Sequence, residues 1–208
     1  MRNLFAPVLP ALVAATMTFV PLAAPAQDVD TSTIVDMTMG QADAPVTVVE
    51  YASFTCPHCA TFHKEVLPQI RENYIDTGKV KFVHREVYFD RYGLWAGMVA
   101  RCGGEMRYFG VADQIYERQR DWTQGSDPAA VAGNLRRIGL SAGLNEEQLD
   151  ACLSDGEKAQ TLVAWYQEHV EKDKIEGTPS FVIDGELYSN MSYADFSELL
   201  DEKLGEDG

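Results

Sequence analysis

The chain has 208 residues, 46% of them hydrophobic, and a formal net charge of −15 from 17 basic and 32 acidic side chains. A nucleic-acid-binding surface needs a basic footprint, so this charge argues against nucleic acid as a partner. About 182 residues remain beyond a predicted leader, which is enough for one sizeable core or for a small domain with an insertion.

Residues 1–26 have the pattern of a secretory signal peptide. Arg2 is the only charge in this stretch, an apolar run extends from Leu4 to about Val20, and Ala24-Pro25-Ala26 has the small-x-small form of a cleavage site. We expect the mature chain to be exported to the periplasm, an oxidising compartment that suits four cysteines. A retained membrane anchor is the alternative, although the apolar stretch is short for a span.

The first predicted elements are a short edge strand at 34–37, a turn at 40–45 and a strand from Val46 to Ala52. The almost continuous apolar run of this second strand suits burial on both faces of a sheet. Glu50 interrupts the run, and a carboxylate there is costly unless it has a function or a path to water. We interpret Glu50 as a proton acceptor or donor for Cys59; a solvated acid at a strand edge is the alternative.

The stretch Cys56-Pro57-His58-Cys59 lies where this strand gives way to a predicted helix. Proline is preferred at the first helical position, so Pro57 makes Cys56 the N-cap residue. There the free backbone N–H groups of His58 and Cys59 and the positive end of the helix dipole favour a thiolate. The His58 side chain can add a hydrogen bond or a charge, and both lower a cysteine pKa.

These features predict a redox pair that uses its own disulfide and no other cofactor. Cys56 is the candidate nucleophile, and Cys59, on the same helix face, is the candidate resolving cysteine. The alternatives are an inert disulfide and half of a zinc site with His63. Structural zinc needs a fourth ligand at ligand spacing, which the remaining histidines do not offer, so we predict no metal.

The helix that begins at Pro57 is predicted to run to about Asp76, with a bend at Pro68 and an end at Gly78. A second strand is predicted from Val80 to Val87, and its His84 is interpreted as a surface or packing residue. Strand, helix and strand in this order predict a βαβ unit with parallel strands.

Residues 90–171 have helical character throughout and are predicted to form an inserted helical domain. Breaks are expected at Gly103-Gly104, at the cap Ser126-Asp127-Pro128, and at Asn145, which has Gln148 three residues later in capping-box spacing. Two further cysteines lie in this insertion, Cys102 and Cys152. A structural disulfide between the first and fourth helices is predicted; two buried thiols or a second redox relay are the alternatives.

The sheet is predicted to resume at 180–183, turn at Asp184-Gly185 in a type I′ hairpin and return through 186–188. A last helix should start after Ser192 and end near Leu204. Gly177-Thr178-Pro179 precedes the strand, where proline is tolerated.

The four-residue motif, Glu50 six residues before it, the helical insertion and the distant Thr178-Pro179 together resemble a DsbA-type thiol:disulfide oxidoreductase. The resemblance covers about 34–204 and implies an α/β thioredoxin fold, with a thioredoxin-like domain at 34–89 and 172–208 around a helical insertion at 90–171. It implies a cis peptide at Thr178-Pro179 beside the disulfide. The backbone of Thr178 would then pair with an extended substrate strand.

The resemblance implies a monomeric, exported enzyme that donates the Cys56–Cys59 disulfide to newly translocated, unfolded proteins that contain cysteine. A membrane partner resembling DsbB would reoxidise it. Threonine before the proline also resembles disulfide isomerases, which leaves an isomerase or a pathway-specific thiol reductase as alternatives. A metal-binding chaperone is a further alternative.

Overall fold

A five-stranded mixed sheet forms the centre of the protein. The computed structural model describes residues 29–125 and 127–205, so the predicted signal peptide at 1–26 lies outside the described residues. The strands are β1 (Met37–Met39), β2 (Val46–Ala52), β3 (Val80–Glu86), β4 (Ser180–Ile183) and β5 (Glu186–Ser189). Their spatial order is β1-β3-β2-β4-β5, with β2 and β3 parallel and the other pairs antiparallel.

The predicted strand from Val46 to Ala52 and its parallel neighbour are confirmed, and β2 is paired on both sides. The predicted edge strand at 34–37 is wrong in position, because β1 pairs with β3 only from Met37 to Met39. Ile34 is instead buried in a side cluster with Tyr88 and Trp165. Its apolar character therefore reflects packing under the helices and not strand pairing.

The first helix covers the predicted range but is irregular. It consists of α1 (Pro57–Thr61), a π-helical turn (Phe62–Val66), α2 (Leu67–Ile70) and a second π-helical turn (Arg71–Ile75). The irregularity expected at Pro68 is present on both sides of that residue. π-helical turns are frequent at functional sites, and the first one here contains the buried His63.

The other helices of the described residues are α3 (Arg91–Cys102), α4 (Glu105–Glu117), α5 (Gln119–Trp122), α6 (Pro128–Ser141), α7 (Glu146–Ser154), α8 (Gly156–Lys172) and α9 (Tyr193–Leu204). The short α5 was not predicted. Within 29–125 and 127–205, none of the helices has both the length and the apolar character that a membrane span requires.

Several local predictions are confirmed by hydrogen bonds or by backbone angles. Asn145 and Gln148 form a reciprocal capping box at 2.9 and 3.1 Å. The hairpin between β4 and β5 has positive φ angles at Asp184 (47°) and Gly185 (87°), as a type I′ turn requires. Ser192 caps α9 by accepting a hydrogen bond from the backbone of Asp195.

The sheet and the helical insertion share one hydrophobic core. Val48 and Phe181 from the sheet belong to the same buried cluster as Tyr116 and Leu135 from α4 and α6. Burial of a large apolar side chain contributes on the order of 1.5–3 kcal/mol, so packing across this boundary stabilises both parts. The division into two domains stays a prediction, and the core runs through its boundary.

Cys102 and Cys152 form a disulfide that joins α3 to α7 across a separation of 50 residues. The unpredicted α5 makes α7 the fifth helix of the insertion and not the fourth. The cross-link restricts the unfolded chain, and a loop of this length stabilises by about 4 kcal/mol on the chain-entropy model.

Replacing both Cys102 and Cys152 with Ala should lower the free energy of unfolding by up to about 4 kcal/mol, because the unfolded chain regains that loop entropy. Guanidinium unfolding of the wild type and the double variant measures the difference. Both proteins should unfold alike in dithiothreitol. A difference that persists undiminished under reducing conditions would show that packing, and not the cross-link, is responsible.

Candidate active site

Cys56 lies beyond the carboxyl end of β2 and caps the first helix. Its backbone is extended (φ −82°, ψ 120°), Pro57 occupies the first helical turn, and the N–H of Ala60 donates to the Cys56 carbonyl at 3.2 Å. The Cys56 side chain is half-buried, whereas Cys59 has no exposed surface. Both are free thiols in this structure. The sequence therefore places one accessible sulfur and one buried sulfur at the same helix terminus.

The pKa of Cys56 is lowered to about 5, mainly by a hydrogen bond with the Cys59 side chain. Partial burial opposes the shift, while Thr178 and the backbone N–H groups of Cys59 and His58 reinforce it. Cys56 is thus mostly a thiolate at neutral pH, the form that attacks and leaves in disulfide exchange.

The pKa of Cys59 is raised far above its ordinary value, first by burial and then by the neighbouring Cys56 and Glu50. Cys59 therefore remains a neutral thiol in the reduced protein. Environments that push two pKa values apart assign different roles to two chemically identical groups. The lower pKa belongs to Cys56 and the higher one to Cys59, as the predicted roles of nucleophile and resolving cysteine require.

The loop before β4 faces Cys56. The Thr178–Pro179 peptide bond is cis, and the Cys56 thiol donates to the Thr178 carbonyl at 3.3 Å. The Thr178 hydroxyl is buried and has no hydrogen-bond partner among the described residues, so it is free to donate to a thiolate. A groove of about 600 Å³ begins here and continues to Leu187 and Tyr188 of β5.

His58 is exposed beside Cys56, and its contribution to the lowered pKa of Cys56 comes from its backbone N–H. The predicted role of the His58 side chain stays a prediction. Gln119 of α5 was missed by the sequence reasoning, yet its side chain donates to the carbonyls of Phe54 and Cys56 at 2.8 and 2.9 Å. A buried glutamine in a four-residue helix leaves no signal in the sequence.

Glu50 is completely buried, so the alternative of a solvated acid at a strand edge is wrong. The reason is its place in β2, which has a paired strand on each side. Its Oε2 lies 2.9 Å from Nε2 of His63 and 3.8 Å from Nε2 of His84. Its Oε1 has no hydrogen-bond partner among the described residues.

The pKa values of the two histidines beside Glu50 are shifted in opposite directions. Burial lowers the pKa of His84 to about 4, although the charge of Glu50 opposes this. Burial would also lower the pKa of His63, but Glu50 and Asp113 overcome it and raise that pKa to about 9. The parallel register pairs Glu50 directly with His84, a relation that becomes readable only once the pairing of β2 and β3 is known.

Glu50, His63 and His84 come close enough together, within 4.8 Å, for a shared ion. Their facing atoms are already engaged with one another, and Nε2 of His84 also lies 3.2 Å from the Tyr116 hydroxyl. We describe the set as a hydrogen-bonded network of one acid and two imidazoles. His63 belongs to this network and not to the zinc site considered with the cysteine pair.

A cysteine pair at a helix N-terminus, a facing cis-proline and a buried acid below define a redox site of the thioredoxin class. A family model described as thioredoxin matches residues 32–202, and the chain belongs to this family. The chain is 35% identical over 172 residues to a candidate protein-disulfide oxidoreductase of Rickettsia bellii. That match covers 82% of this chain and 65% of the relative, so the chain spans slightly under two thirds of the relative's length.

Solved structures show the same similarity. Wolbachia pipientis alpha-DsbA1 superposes with a TM-score of 0.75 at 27% identity, covering 82% of this chain and 92% of that one. A protein-disulfide isomerase from Novosphingobium aromaticivorans gives 0.73 at 25% identity, covering 82% and 99%. The predicted thioredoxin fold and the resemblance to DsbA-type proteins are confirmed.

Replacing Cys59 with Ala should raise the pKa of Cys56, because the main donor to the thiolate is lost. A hydrogen bond to a charged group is worth about 1.5 kcal/mol, so the midpoint of thiolate absorbance at 240 nm should move up by about one pH unit. Cys59→Ser keeps a donor and should move it less. Identical midpoints for the wild type and the Ala variant would contradict this account.

The stability of the reduced protein should depend on pH through Cys56. Its pKa falls from the ordinary 9.0 to about 5 on folding, so the stabilisation is complete above about pH 9 and is lost as the pH falls to about 5. The melting temperature of the reduced protein relative to the Cys56–Cys59 disulfide form should therefore decrease between about pH 8 and pH 5. Calorimetry of both forms measures this, and a constant difference across that range would refute it.

Proposed function

We propose that this protein is an exported thiol:disulfide oxidoreductase that donates the Cys56–Cys59 disulfide to newly translocated proteins. The observation that carries the proposal is the difference between the pKa values of the two cysteines. The pKa of Cys56 is lowered and that of Cys59 is raised. Stabilising the Cys56 thiolate favours the reduced pair, and a pair that favours reduction is an oxidant for other thiols.

The transfer takes two exchange steps. A substrate thiolate attacks Sγ of Cys56, the bond to Cys59 breaks, and the departing Cys59 sulfur takes up a proton because its pKa is high. A second substrate thiolate then attacks the substrate sulfur of the mixed disulfide, and Cys56 leaves as a stable thiolate. The substrate loses two electrons and gains a disulfide, and the cysteine pair is reduced.

The groove beside the cis-proline suits an extended, unfolded substrate. The backbone of Thr178 is next to Cys56 and can pair with a peptide strand, which would hold the substrate sulfur over the nucleophile. The disulfide is the only redox group that this cycle requires. Reoxidation by a membrane partner resembling DsbB, export to the periplasm through the segment at 1–26, and a monomeric state complete the proposal.

The redox equilibrium of Cys56–Cys59 with glutathione tests the proposal. We expect a potential well above about −270 mV, the value of a dithiol reductant, together with rapid oxidation of a reduced, unfolded protein. Cys56→Ser should abolish the oxidation. Cys59→Ala, mixed with a substrate that already contains a disulfide, should accumulate mixed disulfides, because Cys56 attacks the substrate disulfide and no Cys59 thiol is present to release it. A potential at or below about −270 mV would instead favour a pathway-specific reductase.

An isomerase is the second candidate, because Thr178 precedes the cis-proline and the chain is similar to the Novosphingobium aromaticivorans isomerase. An assay with scrambled ribonuclease distinguishes the two activities. An isomerase restores ribonuclease activity without added oxidant, whereas the proposed oxidase forms disulfides in the reduced protein and leaves scrambled pairs unrepaired.

A further inference from the structure

In the proposed exchange the Cys59 sulfur must take up and release a proton, although it has no direct contact with water. Its side chain has no exposed surface, and its raised pKa means that the sulfur must gain a proton when the disulfide opens and lose it when the disulfide closes. Apart from Cys56, the charged group that acts on Cys59 is Glu50, and it is equally buried. A group that reaches both Glu50 and the surface would connect this pair with water.

His84 does not provide that connection. Its Nδ1 lies 2.7 Å from the Tyr108 hydroxyl, and Tyr108 in turn donates to Glu86, which is paired with Arg101 in the interior. Burial also lowers the pKa of His84 to about 4, so this imidazole is neutral at the pH of the reaction. The branch through His84 is a closed structural network.

His63, unlike His84, lies between the buried Glu50 and a cleft at the protein surface. It lines a surface cleft of about 550 Å³ between the first helix and α4, together with Arg71, Asp113, Tyr116 and Glu117. Its Nε2 faces inward to Glu50 at 2.9 Å, and the Tyr116 ring stacks on the imidazole with 4.0 Å between centroids. The ring thus touches the buried acid on one side and lines the surface cleft on the other, with only 1% of its side chain exposed.

The outward nitrogen of His63 points to a route for protons. Nδ1 has no hydrogen-bond partner among the described residues and lies 3.9 Å from Oδ1 of Asp113. That gap is too long for a direct hydrogen bond and suits one bridging water. Asp113 is half-exposed, and its other oxygen lies 3.8 Å from Arg71.

We propose that His63 is the proton-relay residue that connects Cys59, through Glu50, with water in the cleft beside Asp113. This inference rests on thiol–disulfide exchange at Cys56, as proposed above, but not on its direction. When the disulfide opens, the Nε2 proton of the His63 imidazolium passes to Glu50 and a proton passes from Glu50 to the Cys59 sulfur. This leaves a neutral imidazole with its proton on Nδ1, and the ring regains its second proton from the cleft after a turn that brings Nε2 to the cleft side. Disulfide closure runs the transfer in reverse, so protons balance in both directions.

The charge state of His63 is set by groups from each element packed against it. These are Glu50 of β2, His84 of β3, Asp113 and Tyr116 of α4, and Arg71 beside Asp113. Glu50 and Asp113 raise the pKa of His63 to about 9, so the donor is protonated at neutral pH and is lost as the pH rises through that value.

The test is the rate at which a thiol peptide opens the Cys56–Cys59 disulfide, measured by quenched flow between about pH 6 and pH 10. His63→Gln should slow this step at least about tenfold at pH 7, since positioned proton transfer contributes typically 10²-fold or more. Because both proteins react with the same peptide, the pH dependence of peptide ionisation cancels in the ratio of the wild-type rate to the variant rate. This ratio should fall towards one as the pH passes about 9.

Asp113→Asn should lower the pKa of His63, because one group that raises it is removed. The ratio of the wild-type rate to the Asp113→Asn rate should therefore be near one at pH 6 and rise above one as the pH approaches about 9. Glu117→Gln removes the same charge from the same cleft at a residue that forms no hydrogen bond or ion pair with His63 among the described residues. It is the matched control, and an unchanged profile is expected. Since Asp113 is half-exposed, its variant remains informative if His63→Gln fails to fold.

Alkylation of Cys56 by iodoacetamide separates this inference from the proposed function. It depends on the Cys56 thiolate alone and should be nearly unchanged in His63→Gln. A rate ratio that is the same at every pH would overturn the relay, as would equal effects of Asp113→Asn and Glu117→Gln. A wild-type protein that transfers no disulfide to or from any thiol would overturn the proposed function instead.

Discussion

A carboxyl group with no exposed surface, Glu50, lies in the strand that leads to the reactive cysteines, and the surrounding structure compensates for its burial. An isolated buried charge is costly, whereas a charge paired with good geometry is tolerated. Glu50 obtains its partner from the π-helical turn of the first helix, which places His63 at 2.9 Å. β2, its two neighbouring strands and the irregular first helix are therefore coupled through one side chain.

The helical insertion takes part in the redox site as well as covering it. α4 contributes Tyr116, which stacks on the His63 ring, and Asp113, which lies 3.9 Å from its Nδ1. α5 contributes Gln119, whose side chain donates to two carbonyls of the cysteine loop. Because the insertion and the sheet share a single core, these contacts are held by packing and not by flexible surface segments. The helical insertion thus contributes to the surroundings of a redox pair that is positioned by β2 and the first helix.

Local patterns in the sequence were sufficient for much of the fold. The buried strand at 46–52, the hairpin at Asp184-Gly185 and the capping box at Asn145 each follow from a few adjacent residues, and each is confirmed. Pro57 likewise fixes Cys56 as the helix cap without knowledge of distant contacts. The network around Glu50 was not predictable in this way, since it depends on strand register, on a π-helical turn and on α4. Periodicity carries no information about such long-range contacts. The sequence therefore predicts only a surface or packing role for His84, and His63 enters only as a candidate ligand in the zinc alternative.

The short contact between the Cys56 sulfur and the Thr178 carbonyl has a further consequence. While the sulfur carries its hydrogen, that main-chain oxygen is occupied as an acceptor at 3.3 Å. In the Cys56–Cys59 disulfide the sulfur carries no hydrogen, so this oxygen is available to accept from an amide of an incoming polypeptide. The form that a substrate thiolate attacks in the proposed transfer is therefore also the form whose main chain can pair with that substrate.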